Sequence, residues 1–177
     1  NRLETVECDP TREHFVYNSW HCSGYERSLC DRGLCNFIPM VFRNVVPYYT
    51  HFLTVNVAMV SVTPMDKHGY FNLSCSTGVS KGIIDKADIV IVEVNEHLPW
   101  LCGGFDEVVH ISQVDYVVEG EHEPLFELPI AEPSELDKKI AASIVPYIQD
   151  GACLQLGIGS MPNSVGNMIA NSDLKDL

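Results

Sequence analysis

The chain has 177 residues, of which 46% are hydrophobic and 20% are charged, and its formal net charge is -13. This length is enough for one domain with its own core, or for one domain and part of another, and the composition is typical of a globular protein. The sequence contains no run of about 18 apolar residues, so it predicts no membrane span. The negative charge repels phosphate backbones and so disfavours a nucleic-acid partner. Seven cysteines without a Cys-x-x-Cys pair indicate reduced thiols, not a disulfide framework or a metal site.

Three apolar segments in the first part of the chain are rich in β-branched residues and predict strands. They lie at 52–62, at 87–94 and within 107–118, where we expect two shorter strands. A turn at 66–70 and a short helix within 76–86 separate the first two. Runs that are apolar on both faces are typical of a mostly parallel sheet with helices on each side, so these segments predict an α/β fold.

Residues 119–133 interrupt this pattern with one glycine, three prolines and five glutamates. Proline restricts its own backbone and that of the preceding residue, so this composition predicts an extended connector. We therefore expect two domains, the first over residues 1–128 and the second over residues 129–177.

The second unit begins with a helix signal. Ser134 is a good N-cap, and Asp137 three residues later gives a capping-box pattern. Apolar residues then recur every fourth position, which predicts an amphipathic helix: Leu136, Ile140, Ile144 and Ile148. Pro146 is expected to disturb the last turn, because it lacks an N–H and crowds the preceding turn, and Gly151 is expected to end the helix.

A glycine segment follows, between a predicted strand at 152–156 and a predicted helix that starts near Pro162. Glycine lets the backbone approach a ligand closely, and a helix N-terminus offers unpaired N–H groups to an anion or to a developing oxyanion. A tight turn without a ligand explains Gly157 and Gly159 equally well. Pro162 stands where a dinucleotide-binding loop has its third glycine, which argues against that fold.

Residues 154–163 (LQLGIGSMPN) resemble the LQLGIG-x-x-P loop of the acetyl-CoA hydrolase/4-hydroxybutyrate CoA-transferase family. Other segments resemble motifs of that family, in the same order and over nearly the whole chain: 18–20 (NSW), 66–70 (DKHGY), 87–95 (ADIVIVEVN), 115–118 (DYVV) and 128–129 (LP). Tyr17 stands where the family usually has histidine. The resemblance implies open three-layer α/β/α domains of the CoA-transferase type, with most of the first domain in residues 1–128 and the start of the second in residues 129–177.

The resemblance also implies an activity. The family moves coenzyme A between a short-chain acyl-CoA and a carboxylate such as acetate, butyrate or 4-hydroxybutyrate through a glutamyl-CoA thioester, with coenzyme A as substrate and no metal. Its nucleophilic glutamate lies downstream of the glycine loop, beyond Leu177, so no glutamate of this sequence is assigned that role. We expect residues of the family to be missing at both ends, the remainder of the enzyme as partner, a homo-oligomer, and a cytoplasmic location.

By resemblance, we expect contacts to CoA or to an oxyanion from six consecutive residues: Gln155, Leu156, Gly157, Ile158, Gly159 and Ser160. Asn18, Ser19 and His68 are candidate substrate-pocket residues, although a purely turn-stabilising role for His68 is equally open. The adjacent His21 and Cys22 are disfavoured as a nucleophile pair, because neighbours on a strand point to opposite faces.

Two alternative functions stay open at this point. One is an acyl-CoA hydrolase on the same scaffold, in which water takes the acyl group. The other is a non-catalytic ligand-binding module of related α/β architecture. A nucleophilic glutamate in the sequence that follows Leu177 would favour an enzyme over the binding module.

Overall fold

The computed structural model describes residues 2–127 and 132–177, which divide into two compact units, Asn1–Leu125 and Phe126–Leu177. The domain boundary that the sequence predicts, between residues 128 and 129, lies outside the described residues. No helix in these two described ranges is long and apolar enough to cross a membrane.

The first unit alternates short helices and strands, and the second unit consists of helices and connecting segments. The helices are α1 (Glu4–Glu7), α2 (Gly24–Asp31), α3 (Val45–Phe52), α4 (Ser80–Ile84), α5 (Glu135–Ile144) and α6 (Ser160–Ala170). The strands are β1 (Tyr17–Ser19), β2 (Cys35–Phe37), β3 (Val57–Val62), β4 (Tyr70–Asn72), β5 (Ile89–Val94), β6 (Val108–His110) and β7 (Tyr116–Glu119).

The main sheet is parallel, in the order β3-β5-β7, with Val57 paired to Ile89 and Ile91 paired to Tyr116. Strands β1 and β2 form a second parallel pair, whereas β4 and β6 are antiparallel. The α/β fold with a mostly parallel sheet is therefore confirmed. The predicted strand at 87–94, the two strands within 107–118 and the helix within 76–86 are also confirmed.

The predicted strand at 52–62 is wrong over its first residues. Phe52 is the last residue of α3, where its ring lies 5.8 Å from that of Tyr48, one helical turn earlier. Strand β3 begins only at Val57, where pairing to β5 starts. An apolar run does not show where a helix gives way to a strand, because both elements bury the same side chains.

One face of the main sheet carries the core of the first unit. Its inward side chains pack with α4 and with the β4–β6 pair in one buried cluster, whose most fully buried members are Phe71, Leu73, Val62, Val92 and Val109. The opposite face is exposed in this part of the chain, and Met59 at its centre is 76% exposed. Because strand residues alternate between faces, both sides of these strands are apolar although only one is covered here.

The second unit is built on α5 and α6. The Ser134–Asp137 capping box forms, because the Ser134 N–H and hydroxyl donate to Asp137 Oδ2 at 2.9 and 2.7 Å and Asp137 N–H donates back to Ser134 Oγ at 3.1 Å. Pro146 lies in a 3₁₀ turn and disturbs the helix as predicted, but the predicted end at Gly151 is wrong, because α5 already ends at Ile144 and Ile148 lies outside it. Ala141 and Val165 are buried, whereas Leu136 is 65% exposed. The predicted apolar stripe is therefore largely uncovered.

The predicted strand at 152–156 is wrong for the described residues, because this segment forms no ladder. A strand is defined by hydrogen bonds to a neighbouring strand, and no strand occurs among the described residues of the second unit. Leu154 and Leu156 are consequently exposed. The predicted helix after the glycine segment is confirmed, although it begins at Ser160, two residues before Pro162.

The carboxylate of Glu7 in α1 is hydrogen-bonded to residues of α2 and of its C-terminal end. Arg32 Nη1 and Nη2 donate to Glu7 Oε1 and Oε2 at 2.9 and 2.7 Å, and the Tyr25 hydroxyl donates to Oε1 at 2.9 Å. The hydrogen bonds from Arg32, followed by that from Tyr25, lower the pKa of Glu7 from 4.5 to about 2. This group fastens α1 to α2.

We therefore expect the stabilising contribution of Glu7 to depend on pH. A carboxyl group whose pKa is lower in the folded state stabilises the fold fully above pH 4.5, and this contribution is lost as pH falls toward about 2. Urea unfolding of an Arg32→Gln variant should show its greatest loss of stability above pH 4.5 and a shrinking difference from the wild type below it. Arg43→Gln, at an exposed position, is the control. A pH-independent difference for Arg32→Gln would contradict this prediction.

Candidate active site

The glycine segment ends in the N-terminus of α6. Gly159 is the N-cap and has φ +142°, a conformation that side chains rarely adopt. It has no side chain to accept hydrogen bonds from the first helical N–H groups, which have no intrahelical partners either. The backbone at this point therefore presents N–H donors and a partial positive charge, which suit a thioester carbonyl, a phosphate or an oxyanion.

Both ends of the segment are held by the second unit itself. The side-chain and backbone hydrogen bonds from Ser134, and to a smaller extent the interaction with the Ser160 side chain, lower the pKa of Asp137. Leu156 packs on α6 at Gly166, where an added Cβ would lie 3.1 Å from Leu156 Cδ1. Asp137 thus belongs to the cap of α5 and also interacts with the first residue of α6, which the sequence alone did not indicate.

The middle of the segment is open. Gln155, Gly157 and Ile158 are exposed, and Ile158 is 89% exposed. Of the six residues predicted to contact CoA, Gln155 and Ile158 therefore have exposed side chains, whereas Leu156 packs on α6 and Ser160 interacts with Asp137.

Asn18 and Ser19 lie on β1 in the first unit. Ser19 is buried, and its hydroxyl donates to the backbone oxygen of His21 at 2.9 Å, so it stabilises the chain after β1. Asn18 is exposed and accepts a hydrogen bond from Asn36 Nδ2 at 3.0 Å. Asn36 in turn accepts one from Arg12 Nη2 at 3.4 Å. Sequence reasoning found Asn18 but not its two partners.

His68 lies in the turn between β3 and β4, and its side chain is exposed. The turn is organised by Asp66, whose Oδ1 accepts from the N–H groups of Tyr70 and His68 at 2.8 and 2.9 Å. These bonds hold the pKa of Asp66 below its usual value. The Asp66 side chain therefore stabilises this turn, and His68 contributes its backbone N–H.

The Cys22 thiol is poorly suited to be a nucleophile. Partial burial, and then the neighbouring Cys30, raise the pKa of Cys22, which disfavours the reactive thiolate. Within residues 2–127 and 132–177, no group of three or more His, Cys, Asp or Glu side chains is arranged to hold a metal ion.

Residues 4–129 match the acetyl-CoA hydrolase/transferase N-terminal domain. The chain belongs to this family. It is 48% identical over 177 residues to the butyryl-CoA:acetate CoA-transferase of Anaerostipes caccae, and this alignment covers 99% of the chain and 40% of that protein. It is 44% identical over 174 residues to the probable butyrate:acetyl-CoA coenzyme A-transferase of Syntrophomonas wolfei, with 98% and 39% covered.

The fold of this acetyl-CoA hydrolase/transferase family member is also found among solved structures. The crystal structure of RipA from Yersinia pestis superposes with a TM-score of 0.79 at 34% sequence identity, and the match covers 92% of this chain and 38% of that one. The chain therefore spans about 40% of the length of the curated relatives it matches.

Proposed function

We propose that the full-length protein containing this chain is a CoA-transferase that moves coenzyme A between a short-chain acyl-CoA and a carboxylate such as acetate, butyrate or 4-hydroxybutyrate. The observation that carries the proposal is the 48% identity, over essentially the whole chain, to a butyryl-CoA:acetate CoA-transferase. We further propose that residues 1–128 form most of its first domain and residues 129–177 the start of its second.

The reaction is nucleophilic catalysis by a carboxylate. A glutamate oxygen attacks the thioester carbonyl, and the CoA thiolate leaves as a mixed anhydride forms. The thiolate then attacks the glutamyl carbonyl and releases the first carboxylate, leaving a glutamyl-CoA thioester. A second carboxylate attacks this thioester and expels the CoA thiolate, which gives a second mixed anhydride. The thiolate then attacks the acyl carbonyl of this anhydride, so that the new acyl-CoA forms and the glutamate carboxylate is released. We assign the glutamate to residues outside this sequence.

The glycine segment has a specific part in these steps. Each attack on a carbonyl places negative charge on an oxygen, which preorganised N–H donors stabilise. The backbone at Gly159 and Ser160 offers such donors at the start of α6. The exposed side chains of Gln155 and Ile158 offer contacts to the CoA chain.

One assay separates the transferase from both alternatives. The full-length protein is incubated with butyryl-CoA, with and without acetate, while acetyl-CoA and free thiol are followed. A transferase forms acetyl-CoA only when acetate is present and releases little free CoA. A hydrolase releases CoA without acetate, and a binding module does neither. Intact-protein mass spectrometry after acyl-CoA alone should also show a covalent CoA adduct that acetate removes.

A further inference from the structure

The first unit contains a cavity of about 310 Å³ between the β1–β2 pair and α3. Three aromatic residues, Trp20, Tyr48 and Tyr49, line it together with aliphatic residues and β1, whereas the Tyr17 side chain packs on the separate core of Leu29, Leu34 and Cys35. The rings are half-buried, whereas Asn18, the single carboxamide among the described lining residues, is exposed. A mostly apolar cavity with a few polar groups is the usual form of a small-molecule site.

The hydrogen bonds behind Asn18 determine what it offers to this cavity. The guanidinium of Arg12 can only donate, so the Asn36 atom that faces Arg12 must be its oxygen. Asn36 therefore turns its NH₂ group toward Asn18, and Asn18 must present its own oxygen to Asn36. The NH₂ group of Asn18 is then left to donate to a ligand. The matching ligand atom is a carbonyl or carboxylate oxygen.

The charge of the lining residues and the volume of the cavity further limit the class of ligand that fits. The described lining residues include no charged side chain, although the chain as a whole carries a net charge of -13. The volume lies at the lower end of the range for ligand pockets, about 300–1,000 Å³, and is far too small for a whole coenzyme A. It suits a few methylene groups and one polar head.

We propose that this cavity holds the aliphatic chain of the acyl group or carboxylate, that Asn18 Nδ2 donates to its oxygen, and that Tyr48 and Tyr49 limit the chain length accepted. This inference rests on the proposed transferase function and adds the residues that select the substrate. Arg12 and Asn36 are positioning residues, which act through Asn18 and do not touch the substrate.

Chain-length selectivity tests the apolar part of the site. In the full-length enzyme, Tyr49→Ala is expected to raise kcat/KM for hexanoyl-CoA relative to butyryl-CoA by about tenfold or more, because one methylene in an apolar pocket changes specificity by about 10- to 200-fold. Tyr116→Ala, which removes an exposed ring from β7, is the control and should leave this ratio unchanged. A Tyr49→Ala enzyme that melts like the wild type and keeps the wild-type ratio overturns the proposal.

The Asn18 donor is tested with substitutions of similar size. Asn18→Asp replaces the donor by a negatively charged acceptor, so KM for acetate should rise by about tenfold or more, and Asn18→Ala should have a smaller effect in the same direction. Asn36→Leu should raise the same KM and leave the chain-length ratio unchanged. An unchanged KM for acetate in Asn18→Asp would refute the role of Asn18.

Failure of the proposed function has a separate signature. A wild-type protein that produces no acetyl-CoA from butyryl-CoA and acetate refutes the transferase, whatever the variants do. Saturation-transfer NMR with butyrate then tests the cavity directly. A signal from the wild type that Asn18→Asp weakens supports the cavity as a carboxylate site, and no signal from the wild type overturns it.

Discussion

A Gly159→Val substitution in the full-length enzyme is expected to lower the rate of CoA transfer per folded molecule by about 10²–10³, the usual effect of losing one oxyanion donor. Gly159 has φ +142° at the N-cap of α6, and a β-branched residue is strained in that conformation. Its backbone must rotate to relieve the strain, and the first N–H groups of α6 then turn away from the reacting oxygen. Steady-state transfer rates and thermal unfolding, measured on one preparation, check the prediction.

Gly151 supplies a matched control for strain. It lies in the same unit at φ +75°, and an added Cβ meets nothing within 4 Å. Gly151→Val should therefore lose stability as Gly159→Val does, by about 1–3 kcal/mol, while its activity per folded molecule stays close to the wild type. If Gly159→Val also kept near-normal specific activity, the glycine segment would be only a turn.

Asn72→Ala is expected to destabilise the first unit by about 3 kcal/mol or more, since each buried polar group left unpaired costs about 1–3 kcal/mol. Asn72 on β4 is fully buried. Its Oδ1 accepts from the N–H groups of Ser74 and Leu101 at 2.8 and 3.1 Å, and its Nδ2 donates to the Leu101 oxygen at 2.8 Å. All three backbone groups lose this partner in the variant. The change in the free energy of unfolding, from urea titration, is the measurement.

Two further variants isolate the hydrogen bonds. Asn72→Leu fills the same space and leaves the same backbone groups unpaired, so it should be about as unstable as Asn72→Ala. Asn56 is an exposed asparagine whose Nδ2 donates to Asp88 at 3.0 Å, and Asn56→Ala should cost only about 0.5 kcal/mol. A stable Asn72→Leu protein would show that the cavity, and not the hydrogen bonding, explains the loss in Asn72→Ala.

The difference between Asn72 and Asn56 shows that the structural role of a residue cannot be predicted from the residue and its neighbours in the sequence alone. Both are asparagines beside apolar strands, and nothing local distinguishes them in the sequence. Asn72 contributes to stability only because its side chain is hydrogen-bonded to the backbone of Leu101, which lies 29 positions away in the sequence. The same holds for the side-chain amide of Asn18. Its orientation depends on the hydrogen bond from Asn36 on β2, and Asn36 is oriented in turn by Arg12.

The glycine segment was found from the sequence because its signal is local and because its motif resembles that of a known family. Its predicted strand was nevertheless wrong in the described residues. Residues 152–156 have the composition of a strand, but a strand also needs a partner for its N–H and C=O groups. That requirement concerns other parts of the chain and cannot be read from the segment itself.

The sequence alone determined the features whose causes lie within a few residues of each other. The capping box of Ser134 and Asp137 starts α5, and Pro146 changes its last turn, because these interactions span three or four positions. The motifs in their order likewise determined the family. Tertiary structure alone decided that α3 extends to Phe52, that one face of the main sheet is covered here, and that Asn18 lies at an aromatic cavity. Those outcomes depend on contacts between residues far apart in the chain, whose energies no local pattern contains.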